Sequence, residues 1–99
     1  MDLNNILNKK VEFETIFSNY GITRAYLFGS YSLGSQNENS DIDILFDYDQ
    51  SRKFSLFDME EVRLRLEKLF GKKVDFVPSK GVKSIIHTDI QNNLVKIYG

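Results

Sequence analysis

Cysteine is absent from the 99 residues, so neither a disulfide framework nor a thiolate zinc site can belong to this fold. Histidine occurs once, at His87, with no clustered second ligand; a surface or helix-cap role suits it better than metal binding. No apolar run approaches the roughly 18 residues of a membrane span; Ala25-Tyr26-Leu27-Phe28 is among the longest. The start, Met1-Asp2-Leu3-Asn4-Asn5, lacks the basic residues and apolar stretch of a secretory signal. The expectation is a cytoplasmic chain with no membrane association. One proline, six glycines, 41% hydrophobic and 27% charged residues exclude collagen-like, low-complexity and disordered classes. Length predicts a single domain over residues 1–99 that buries about 65% of the surface its unfolded chain exposes. That suffices for one core and leaves no room for a separate substrate domain.

A net charge of −1 hides an uneven division. Residues 1–51 hold three Lys/Arg against eight Asp/Glu, whereas residues 52–99 hold ten against six. Between Gln36 and Ser51 lie Glu38, Asp41, Asp43, Asp47 and Asp49 and no base. A nucleic-acid binder would carry a wholly basic face, and the tyrosines show no interleaving with basic residues of the kind a single-strand platform needs. No direct nucleic-acid binding is expected. An acidic stretch set against a basic second half suggests a site for cations and something phosphorylated. Scattered solvated charge meets the same composition.

Leu3, Ile6, Leu7, Phe13, Phe17 and Tyr20 recur at the spacing of one helix face, which Gly21 ends. Ala25–Phe28 reads as a short buried strand broken by Gly29-Ser30, and residues 30–40 as one helical turn and a polar loop. In the strand Asp41-Ile42-Asp43-Ile44-Leu45-Phe46, a period of two puts Ile42, Ile44 and Phe46 on one face and Asp41, Asp43 and Leu45 on the other. A second amphipathic helix runs from Leu56 to Phe70, with a capping box at Ser55 and Asp58 and a stop at Gly71. Val74–Val77 is a third strand before Pro78; residues 82–93 are helical in part, and 94–98 form a last strand. The order predicts an α/β (α+β mixed) fold, a small mixed sheet flanked by helices.

Asp41 and Asp43 project from one strand face with side chains roughly 7 Å apart, where they repel unless a cation lies between them. Hard carboxylate oxygens suit Mg²⁺ shared with substrate phosphates, and a pair of such ions can clamp an in-line phosphoryl displacement. A bare Asp-x-Asp equally describes a solvated strand edge. Gly29-Ser30 narrows the choice. Glycine permits a sharp turn and close approach of a ligand, and Ser30 would open a short helix toward a phosphate, although a plain helix cap looks the same. Gly-Ser, ten residues, then Asp-x-Asp arises by chance on the order of once in a thousand sequences of this length.

Leu27-Phe28-Gly29-Ser30 through Ser40-Asp41-Ile42-Asp43-Ile44-Leu45 resembles the G-S-x10-D-x-D signature of the DNA polymerase β-like nucleotidyltransferase superfamily, and the small size resembles its minimal (MNT, MntA-like) branch. The resemblance covers nearly the whole chain and implies the polymerase β-like nucleotidyltransferase fold. It implies a third acid, matched by Asp75, that with Asp41 and Asp43 holds two Mg²⁺ and accepts the acceptor's proton, with Gly29 and Ser30 at the phosphates of ATP. It further implies transfer of AMP to a hydroxyl, a tyrosine, of a HEPN-type toxin, whose RNase activity is thereby silenced by this antitoxin. Many relatives carry Gly-Ser-Arg-x-Arg-Gly; Tyr31 and Leu33 stand here at the two Arg positions. Arg24, Arg63, Arg65, Lys72 and Lys73 are the cations that could serve the triphosphate instead, with no order among them; Lys72 and Lys73 also suit the end of the second helix. Two alternatives stay open: a catalytically weak module that neutralises its partner by contact, and a small-molecule nucleotidyltransferase.

Overall fold

The computed structural model describes residues 2–29, 31, 34, 36–37, 39–79 and 94–99; Ser30, Leu33, His87 and the helical segment expected within 82–93 lie outside the described residues. The elements are α1 (Leu3–Leu7), α2 (Lys10–Asn19), β1 (Ile22–Phe28), β2 (Ile42–Tyr48), α3 (Leu56–Phe70), β3 (Val74–Pro78) and β4 (Val95–Tyr98). They form a mixed sheet of order β3-β2-β1-β4, in which β1 is antiparallel to β2 and β4, and β2 is parallel to β3. Parallel pairing needs a crossover connection, and α3 supplies it. Pro78 closes β3 on the sheet edge, where a missing N–H costs no interior ladder bond.

The sheet face bearing Ile42, Ile44 and Phe46 is the buried one, as its alternation predicts. Phe13 and Phe17 of α2, and Val62, Leu66 and Phe70 of α3, repeat at helical spacing and join Ala25, Leu27, Val74, Phe76 and Ile97 in one core. The Phe46 and Phe76 rings stack at 3.9 Å between centroids, and Phe17 tilts against Tyr98 at 5.2 Å. Each fully buried side chain of this size stabilises the fold by about 1.5–3 kcal/mol. The helix ends follow the expected chemistry: Ser55 and Asp58 close a reciprocal capping box, and Gly71 ends α3 at φ 69° in the left-handed region.

The first helix departs from expectation. Its apolar stripe is split into α1 and α2 at Asn8 and Lys9, with Lys9 at φ −96° and ψ 18°, off helical geometry. Asp2 and Asn5 cap a helix only five residues long, and Asn8 favours a turn over helix interior. The kink keeps Ile6 in the core and leaves Leu7 at the surface. The first strand is longer than its apolar run: Ile22–Phe28 includes exposed Thr23 and Arg24 beside a register irregularity.

Candidate active site

The second face of the sheet is organised in cross-strand rows. In the first, Phe28, Asp43 and Asp75 stand opposite one another across β1, β2 and β3. The next is apolar, formed by Tyr26, Leu45 and Val77, and Leu45 is buried there outside the helix-covered core. Beyond it, Arg24 Nε lies 3.3 Å from Asp47 Oδ2, and the Ser79 hydroxyl donates to the same carboxylate.

Gly29 follows Phe28 directly and turns the chain at φ 72°. A Cβ there would fall well inside contact distance of Asp43 Oδ2. Glycine therefore does two things at this position: it adopts a conformation that L side chains rarely hold, and it lets the carboxyl of Asp43 sit against the backbone. Asp43 is half-buried. Its burial first, then a hydrogen bond with Asp75 and the negative charges of Asp75 and Asp41, push its pKa up to about 6. The pair thus lacks positive charge, which is the electrostatic condition under which a cation is favoured.

Asp41 is placed differently. It precedes β2, and the Ile42 N–H donates to the Lys73 carbonyl at 2.9 Å, so Lys73 enters β3 beside it. Lys73 Nζ stands 3.9 Å from Asp41 Oδ2. Among the described residues no group of three Asp, Glu, His or Cys side chains converges tightly enough to hold a metal ion. The structure brings Asp43 and Asp75 together and leaves Asp41 turned to a lysine, near enough to act on Asp43 by charge. The donor set fits Mg²⁺ in kind: carboxylate oxygens, in excess of local positive charge, brought together from neighbouring strands on one sheet face.

The candidate cations separate on the same map. Arg63 is engaged by Glu60 and, at 2.8 Å, by Glu67; Arg65 binds Glu61 at 3.2 Å and the Tyr20 hydroxyl at 3.1 Å. Both belong to α3, which covers the other face of the sheet. Arg24 shares the acid face but is paired with Asp47. Lys73, by contrast with these three arginines, stands next to a site carboxylate. Its signal was available in the sequence, since Lys73 stands two residues before Asp75 at the entry to β3, as Asp41 stands two before Asp43 at the entry to β2. The register that sets the two pairs side by side was not.

Tyr31, at the first of the two positions where the family resemblance implies Arg, is 2% exposed and packs into the hydrophobic core. Among the described residues its hydroxyl is buried without a hydrogen-bond partner, and burial with the charge of Asp2 raises its pKa. The residue anchors the turn from the inside.

Residues 9–97 match the model of the nucleotidyltransferase domain family. A candidate protein adenylyltransferase of Methanocaldococcus jannaschii is 33% identical over 97 residues, covering 98% of this chain and 99% of that protein. Among solved structures, a candidate minimal nucleotidyltransferase superposes with a TM-score of 0.82 at 27% identity, over 96% of this chain and 95% of that one. A Shewanella oneidensis complex of a tri-AMPylated HEPN toxin with an MNT antitoxin gives a TM-score of 0.69 at 20% identity, over 96% of this chain and 72% of that one. The last likeness is one of fold.

Proposed function

Since the chain belongs to the nucleotidyltransferase domain family, we propose that it transfers AMP from ATP to a tyrosine hydroxyl of a HEPN-type toxin, and so acts as the antitoxin of that pair. The observation that carries this reading is the juxtaposition of Asp43 and Asp75 beside the close turn at Gly29. Asp41, Asp43 and Asp75 are the residues that would hold Mg²⁺, and Gly29 with Ser30 would hold the phosphates. Two Mg²⁺ ions, when bound, supply Lewis-acid polarisation of the transferred group and neutralise the leaving one. The acceptor oxygen bonds to the α-phosphorus as the bond from that phosphorus to the α–β bridging oxygen breaks, and pyrophosphate leaves. Asp75, exposed at the sheet edge where a protein acceptor can reach it, takes the hydroxyl proton. The protein names and complex found by comparison support the acceptor class: an adenylyltransferase acting on protein, and a HEPN toxin carrying AMP beside its MNT antitoxin.

The test is intact-mass spectrometry of a HEPN-type partner protein, after incubation with the chain, ATP and Mg²⁺. One or more AMP masses on a partner tyrosine are expected. A second reading has one observation in its favour, the burial of Tyr31 in the core instead of a cationic side chain at the phosphate turn. On that reading the chain neutralises its partner by contact, and the partner's mass stays unchanged while its toxicity is suppressed.

A further inference from the structure

We infer that Lys73 is a displaceable counter-ion, which holds Asp41 while the site carries no metal and passes its ammonium to the nucleotide's phosphate oxygens when Asp41 turns to the ion. This rests on the metal-and-nucleotide reading above and adds a positioning residue to it.

The backbone of Lys73 is held firmly. Its carbonyl accepts from the Ile42 N–H at 2.9 Å, the neighbouring Val74 N–H donates to Glu67 Oε2 at 2.9 Å, and Gly71 caps α3 through a 2.8 Å bond to the Glu67 carbonyl. The side chain is held loosely. It is 69% exposed, and its 3.9 Å approach to Asp41 lies at the outer limit of an ion pair. A fixed base with a swinging four-carbon stem suits an ammonium with two destinations. The first destination is present: Lys73 Nζ stands 3.9 Å from Asp41 Oδ2 and sets a counter-charge beside one of three carboxylates, of which Asp75 and Asp41 both act on Asp43 by charge. The second follows from charge. Where Asp41 serves as a metal ligand, the Lys73 ammonium would be left without that partner beside a site that, on the reading above, takes the anionic phosphates of a nucleotide. Arg24, Arg63 and Arg65 are held by Asp47, Glu60, Glu61 and Glu67 and do not compete for that role.

The experiment uses the full chain and two probes, Mn²⁺ alone and Mn²⁺ with a non-hydrolysable ATP analogue, read by calorimetry and by electron paramagnetic resonance of free Mn²⁺. Lys73→Met should bind Mn²⁺ alone about two- to fivefold more tightly, the range an exposed ion pair can withhold, and bind the analogue at least about threefold more weakly. Lys73→Arg should restore analogue binding. Lys96→Met removes a cation from the same sheet face, in register with Tyr26, and should change neither value. Unchanged or weaker Mn²⁺ binding by Lys73→Met overturns the counter-ion role, as does an equal shift in Lys96→Met. Tighter Mn²⁺ binding with unaltered analogue affinity overturns the transfer to phosphate. A wild-type chain that binds no Mn²⁺ overturns the metal reading itself, a result distinct from either.

Discussion

The two faces of β2 are made by alternate residues of one seven-residue strand and obey opposite rules. Toward the helices, Ile42, Ile44 and Phe46 are fully buried among Phe13, Phe17, Val62, Leu66 and Phe76, and every contact there lowers the free energy of the fold. Toward the other side, Asp43 meets Asp75, a like charge, across the sheet and Gly29 across the turn, and Asp41 adds its field. Like charges directly opposite one another in a sheet destabilise it. The core face therefore supplies the stability that lets the acid face stay strained. Conflict between local preference and global fold marks functional positions, and here it centres on the row Phe28–Asp43–Asp75.

The contrast is broken most sharply by Asp43→Ala. If the acid face exists for chemistry, AMP transfer should fall by about a thousandfold or more, measured as the rate of mass gain on the partner. The variant should still melt cooperatively and still co-purify with that partner. Retained transfer would remove Asp43 from the site, and loss of co-purification would make it an interface residue. Phe46→Ala probes the opposite face. It should cost about 3–5 kcal/mol of stability by chemical denaturation, because the side chain is fully buried and stacks on Phe76 at 3.9 Å. Transfer measured well below its melting temperature should change far less than in Asp43→Ala.

Gly29→Ala tests the seam between the faces. The φ of 72° disfavours any Cβ, and this Cβ would crowd the Asp43 carboxylate. A loss of about 1–3 kcal/mol is expected from strain, together with a loss of nucleotide binding as Asp43 is pushed aside. Gly34→Ala is its control, since φ is also 72° there but, among the described residues, nothing lies within 4 Å of the added methyl. Equal effects on nucleotide binding would reduce Gly29 to a turn residue.

Much of this was legible from period and punctuation. The α3 helix with its Ser55–Asp58 box and Gly71 stop needed only local signals, and so did the inward face of β2. The break at Asn8-Lys9 did not show, because the apolar stripe continues through it and the kink is set by how Ile6 and Phe13 reach one core. In the site, Asp-x-Asp and the preceding glycine stood out as residue types at a spacing. What spacing along one strand cannot contain is register between strands. The parallel alignment of β3 puts Asp75 opposite Asp43 and Lys73 beside Asp41, and one residue of slip would send both to the helix face. The fate of Tyr31 was hidden for a related reason: a tyrosine in a polar turn gives no local sign that the ring belongs to the core.

The mildest test is a pH profile. In the metal-free protein Asp43 has a pKa of about 6 against 3.8 in its ordinary state, burial being the leading cause and Asp75 the next. Between those values the folded state binds more protons than the unfolded one, so stability falls as pH rises. The contribution is present in full below about pH 4 and is lost as pH climbs through about 6, after which this group adds no further slope. The whole displacement would correspond to about 3 kcal/mol; a half-buried carboxyl screened by solvent retains about 1 kcal/mol of it. Asp43→Asn keeps a hydrogen-bonding side chain for Asp75 and removes the charge. Its metal-free melting temperature at pH 7.5 should therefore exceed wild type by about 5 °C, and the gap should close as the buffer is taken down to pH 4. Helix-face substitutions such as Val62→Ala should lower stability at both pH values alike, because no titrating group is involved. An Asp43→Asn variant less stable than wild type at pH 7.5 would show that the carboxylate is held by favourable contacts, and the two faces of β2 would then obey the same rule.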